Sequence, residues 1–66
     1  MQLVINGTPT DVADGIALPA LLESLGLRVG SVVVEHNGTA LLRSELAAAR
    51  LGDGDRLELV RAVAGG

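Results

Sequence analysis

Apolar and polar residues alternate at the start of the chain, "MQLVIN", where Met1, Leu3 and Ile5 share one face. A period of two marks a half-buried strand. "NGT" follows at Asn6 to Thr8, and Asn-Gly suits the type I′ turn of a tight hairpin. A second strand is therefore expected over roughly Thr8 to Val12, antiparallel to the first. Pro9 has no N–H to give a neighbour, which keeps this strand at an edge or near a bulge. After the turn "ADG" the period changes. In "ALPALLESLGL" Leu18, Leu21, Leu22 and Leu25 fall at i, i+3, i+4 and i+7, the stripe of an amphipathic helix. Pro19 suits the first helical turn and Gly26 the left-handed stop. The start is weakly capped, since neither Ala17 nor Leu18 carries a capping oxygen.

"SVVVEHNGTALLR" repeats the hairpin pattern: a valine-rich strand, Asn37-Gly38, and a short strand through Leu41. "SELAAARL" reads as a short helix capped by Ser44, "GDGD" as a turn, and "RLELVRAV" as a last strand with Leu57 and Leu59 facing inward. The order is hairpin, helix, hairpin, short helix, strand. A helix laid across one face of a mixed sheet buries both apolar surfaces in two layers. The expected fold is α+β: a β-grasp with four or five strands, one main helix across one face and a short second helix. Its first and last strands lie parallel and adjacent at the centre. Leu3, Ile5, Leu21, Leu22, Leu25, Val32, Val34, Leu57 and Leu59 form the expected core.

Composition narrows what such a domain can do. With 66 residues it is one small domain, and a chain of this size buries only about 60 % of its unfolded surface. It has no cysteine and no aromatic residue, so neither a disulfide nor a thiolate zinc site reinforces it. The core is left to Leu, Val, Ile and Ala. Net charge is −3, with five arginines and no lysine. Nucleic-acid binding needs a basic face and, for single strands, stacking platforms; neither is present. No apolar run has the length of a membrane span, and the N-terminus lacks a signal-peptide layout. The expected compartment is the cytoplasm.

The side chains offer little chemistry. Asp53 and Asp55 in "GDGD" lack the downstream acid of a calcium loop and read as turn residues. His36 stands alone before a turn, and Ser44 has no base beside it in sequence, so His36 reads as a surface residue and Ser44 as a cap. If Val32, Val34, Leu57 and Leu59 point inward, Val33 and Val60 point to the other face. There they are candidates for part of a docking patch beside the chain end.

That end is "VRAVAGG". Two bare glycines add no stability to a small domain. They are either slack or a slim, flexible arm that presents a carboxylate. The whole chain, and above all its ending "DGDRLELVRAVAGG", resembles the ThiS family of sulfur carriers in thiamine biosynthesis, relatives of ubiquitin. "LLRSELAA" departs from the family's usual Pro-Arg-Ser and following Trp: it keeps Arg43 and Ser44 but has Leu42 and Leu46 at the other places. Both replacements read as altered packing.

The resemblance implies a domain over residues 1–61 and a flexible tail over 62–66. Gly66 would be adenylated and converted to a thiocarboxylate, and Gly65 and Ala64 would allow access to a narrow site. It implies no bound cofactor, since the ATP is consumed by a ThiF-like adenylating enzyme. It also implies a sulfur donor system and a thiazole synthase, ThiG-like, that takes the sulfur. Val60, Val33 and Val63 are the candidate partner-binding residues. The molybdopterin synthase small subunit shares the fold and the Gly-Gly end, and a ubiquitin-like protein modifier is a third reading. The carrier reading makes the chain a co-substrate of enzymes rather than an enzyme.

Overall fold

The computed structural model describes residues 1–61; the expected tail, with Val63, Ala64, Gly65 and Gly66, lies outside the described residues. Five strands form one mixed sheet: β1 (Gln2–Ile5), β2 (Thr8–Asp11), β3 (Val32–His36), β4 (Thr39–Leu41) and β5 (Arg56–Arg61), in the order β2-β1-β5-β3-β4. The first and last strands pair in parallel at the centre, with Val4 beside Arg56 and Ile5 beside Leu57. On its other side β5 runs antiparallel to β3 over five pairs, from Val32–Arg61 to His36–Leu57. Pro9 lies on the edge strand β2, opposite Val4.

Asn6 and Asn37 have φ of 49° and 50°, followed by Gly7 and Gly38 at 82° and 86°. These are the two successive positive angles of a type I′ turn. The asparagines also reach β5. Asn6 Oδ1 accepts from the backbone N–H of Leu59 at 2.7 Å, and Asn6 Nδ2 donates to the Leu59 carbonyl at 3.2 Å. Asn37 Oδ1 accepts from the N–H of Arg56 at 2.8 Å. Each hairpin turn thus continues the pairing of β5 where its neighbouring strand turns away.

Helix α1 (Leu18–Ser24) covers one face of the sheet. Ala17 is its N-cap without a side-chain bond, and Pro19 sits in its first turn. Leu18, Leu21 and Leu22 are fully buried against Leu3, Ile5, Val34 and Leu57. Leu25 is not: it is 43% exposed, contrary to the sequence reading. The helix ends one residue earlier, with Leu25 as the C-cap at φ −90° and ψ 3°. Gly26 has φ 76°. Its N–H donates to the carbonyl of Glu23, and that of Leu27 donates to the carbonyl of Leu22. This is a Schellman ending, in which the residue after the glycine folds back onto the helix. Leu27 therefore packs on the core in place of Leu25. Val32 and Leu59 are half-buried at the edge of the same core.

The second helix is reduced to a 3-10 turn, Arg43–Glu45, after another at Val29–Ser31. Ser44 does not cap it. The N-cap is Leu42, whose N–H donates to the Glu45 carboxylate at 2.7 Å. Leu46 then enters the core at 2% exposure, whereas Leu42 is 69% exposed. Of the two leucines read as altered packing, only Leu46 packs.

The "GDGD" carboxylates bind backbone. Asp53 Oδ1 accepts from the N–H of Gln2 at 2.6 Å, and Asp55 Oδ2 accepts from the N–H of Gly52 at 2.8 Å. Asp55 Oδ2 also accepts from His36 Nε2 at 2.7 Å. His36 is therefore not an isolated surface residue. The pair joins the end of β3 to the turn before β5 across 19 positions of sequence. The bond from His36, then that from Gly52, holds the Asp55 carboxyl below the ordinary aspartate value of 3.8.

Two predictions follow from this packing. Leu22→Ala should cost about 2–5 kcal/mol, much of the stability of so small a domain, and Leu25→Ala about 1 kcal/mol or less, read by urea unfolding. Equal costs would contradict the helix ending. For Asp55, a folded value held below the unfolded one adds stability that is present above the unfolded value and lost as pH falls through the folded one. Asp55→Asn should therefore melt below wild type at pH 6, and the gap should shrink as pH falls below 3.8. A gap that stays constant with pH would show that the Asp55 charge does not stabilise the fold.

Candidate functional site

The face of the sheet opposite α1 carries the candidate docking residues. Along β5 the alternation buries Leu57 and half-buries Leu59, leaving Arg56, Glu58 and Val60 exposed. Along β3 it buries Val34 and exposes Val33 and Glu35. The register sets Val33 directly opposite Val60. They are 49% and 60% exposed, so the pair expected from the sequence is present and faces solvent. Directly opposite side chains on neighbouring strands have Cβ atoms about 4.5–5.5 Å apart, so the two valines make one apolar spot.

The sequence reading missed a third member. Val34 pairs with Leu41, and Leu42 remains extended at φ −70° and ψ 153°. Continuing the antiparallel register by one residue brings Leu42 beside Val33, with its side chain on the face opposite to that of Leu41. Leu41 packs on the core and Leu42 is exposed. Leu42, Val33 and Val60 thus cross the sheet as one row from β4 to β5. The period-2 pattern could have revealed it, since Leu41 and Leu42 cannot both face inward on a strand. Ending the strand at Leu41 leaves that alternation unread.

This row lies at the end of the sheet from which the chain continues toward Gly66, because Val60 is followed only by Arg61 within β5. Five further residues, 62–66, span at most about 17 Å if extended. Elsewhere the chemistry is sparse. Among the described residues the Ser44 side chain makes no hydrogen bond, and His36 and Asp55 bond to each other at the far end of β3. No group of three or more His, Asp or Glu that could hold a metal occurs among the described residues. A shallow depression between residues 15–17 and 47–51 is lined mainly by alanine and backbone, with Arg50 as its one charge. No helix of the described residues is long and apolar enough to cross a membrane. What the arrangement offers is an exposed apolar row that ends on β5, the last strand of the described residues.

Known proteins give this geometry a context. A model of the ThiS family matches residues 3–66. The chain is 38% identical over its full length to a thiazole synthase of Paramagnetospirillum magneticum, and it spans 20% of that protein's length. Among solved structures, the crystal structure of the thiamine biosynthesis protein ThiS from Geobacter metallireducens superposes with a TM-score of 0.85. It is 35% identical, and the match covers both chains completely. The solution structure of a thiamine biosynthesis protein from the same organism gives 0.80 at 35% identity, covering all of this chain and 88% of the other. A family match across nearly the whole sequence, joined to the close superposition on a ThiS structure, leaves one assignment: the chain belongs to the ThiS family.

Proposed function

We propose that this ThiS-family sulfur carrier works through the carboxylate of Gly66, which a ThiF-like enzyme adenylates and a sulfur donor system converts to a thiocarboxylate. The observation that carries the reading is the family match through residue 66, which includes the glycine pair. A carboxylate resists nucleophiles because its charge repels them. In the first step one of its oxygens attacks the α-phosphorus of ATP and pyrophosphate leaves. In the second, sulfur at the oxidation level of sulfide attacks the carbonyl carbon and AMP leaves, so one oxygen is exchanged for sulfur. The site must enclose the carbonyl, position it and keep water from the acyl-adenylate. Gly65 and Gly66 bring no side chain to a narrow entrance, and Ala64 brings only a methyl group.

The chain supplies no catalytic side chain and binds no cofactor in this reading; ATP belongs to the partner, which sets the reaction in the cytoplasm. Similarity to a protein named thiazole synthase supports a ThiG-like enzyme as the consumer of the sulfur, and thiazole rather than a pterin as its destination. Val33 and Val60, with Val63 beyond them, meet the adenylating partner while the tail enters its site.

Two outcomes test this. Incubated with the adenylating enzyme, ATP and a sulfur source, the protein should exchange one terminal oxygen for sulfur, seen by intact-protein mass. Deleting Gly66 withdraws the carboxylate by about 3.3–3.6 Å along an extended chain. Misplacement of about 1 Å can cost 10²-fold in rate, so loading should fall at least that far while the domain stays folded. Gly65→Val should also fail, through bulk and restricted backbone angles. A Gly66 deletion that gains sulfur as readily as the full chain would end the carrier reading. Separately, Val60→Asp should weaken binding to the adenylating enzyme without lowering the melting temperature appreciably; unchanged binding would remove Val60 from the contact.

A further inference from the structure

Next to the apolar row, on the same face and the same two strands, Glu35 stands directly opposite Glu58. Both are exposed. Two residues along a strand is about 6.6–6.8 Å, so the carboxylates lie one side-chain width from Val33 and Val60. Like charges directly opposite on neighbouring strands destabilise a sheet. Among the described residues neither glutamate makes an ion pair. Arg56, two positions back along β5 on this face, forms no ion pair with either among the described residues. The fold therefore keeps two like-charged side chains facing each other on its exposed sheet face, in a domain with little stability to spare.

We propose that this face is a two-part docking surface for the adenylating enzyme: apolar side chains of the partner cover the Leu42–Val33–Val60 row, and one arginine or lysine of the partner sits between Glu35 and Glu58. The proposal deepens the carrier reading and rests on it. Charge favours this occupant. A cation between the two carboxylates replaces their repulsion with two charge-assisted hydrogen bonds, and a guanidinium can serve both acids at once. A second copy of this chain fits poorly, because a two-fold contact through this face would gather four carboxylates about its axis. The apolar row excludes water from the contact, and the acid pair fixes its orientation. Val60 and Glu58 lie on the strand that leads to Gly66, so docking here sets both the origin and the direction of the tail.

The test is the double substitution Glu35→Gln and Glu58→Gln, with Leu42→Ser made separately. Binding to the ThiF-like enzyme of the same organism is measured by calorimetry at low and high salt, with melting temperature and sulfur loading followed in parallel. Wild-type affinity should fall as salt rises. The double variant should melt no lower than wild type, since repulsion has been removed. It should nevertheless bind at least about tenfold more weakly at low salt and lose most of the salt dependence. Leu42→Ser should weaken binding while keeping that dependence. A double variant that binds and responds to salt like wild type, or a wild-type affinity indifferent to salt, overturns the acidic contact. Unchanged binding by Leu42→Ser removes Leu42 from the surface. Failure of the wild type itself to gain sulfur would count against the carrier reading instead, so the two failures are told apart.

Discussion

A strand in the middle of a sheet must have its backbone groups satisfied along both edges, and here that strand is β5, the last to appear in the sequence. Its partners come from the start and the middle of the described chain. β1 pairs along one side in parallel and β3 along the other in antiparallel sense. Unpaired buried backbone groups are costly, so neither hairpin completes its inner edge without β5. Both hairpin turns help to close that edge, through Asn6 at Leu59 and Asn37 at Arg56. β5 is thereby held on both sides from Arg56 to Leu59.

The same arrangement separates the two faces of the sheet. One face meets α1, and the core there is made of leucine, isoleucine and valine because no aromatic residue is available. Small aliphatic side chains fill a thin layer without polar atoms to satisfy, which suits one short helix over five short strands. Among the described residues no helix covers the other face. Its alternating positions stand exposed, and this is where the valines and the facing glutamates lie.

Much of this was legible in the sequence because it depends on local periodicity. The strands followed from period 2 and the turns from Asn-Gly. The central parallel pair followed from the two-layer requirement, and Val33 and Val60 fell outward by parity. What was hidden depends on contacts between distant positions. His36 seemed partnerless because Asp55 lies 19 residues away. The asparagines read as turn formers, yet their amides also pair with β5. Leu25 satisfied the helical stripe, but the stripe does not say where the helix ends. Gly26 decides that, and Leu27 folds back in its place. Leu42 reads as a packing residue because it is an apolar replacement, whereas the extended backbone leaves it exposed. The tail lies beyond the described residues, so Gly66 rests on family membership rather than geometry.

The carrier reading also explains why a small protein would tolerate an arrangement that works against its stability. A carrier must bind its activating enzyme, release it once loaded, and then meet the enzyme that takes the sulfur. A purely apolar patch large enough for firm docking would favour self-association and slow release. Three aliphatic side chains supply only a modest contact. Adding charge raises the rate of encounter and orients the approach more than it strengthens the bound state. In the proposed contact a partner's cation between Glu35 and Glu58 replaces like-charge repulsion with two charge-assisted bonds, so the pair favours the complex. An uncharged pair at these positions would steady the fold and lose that preference for a partner of opposite charge.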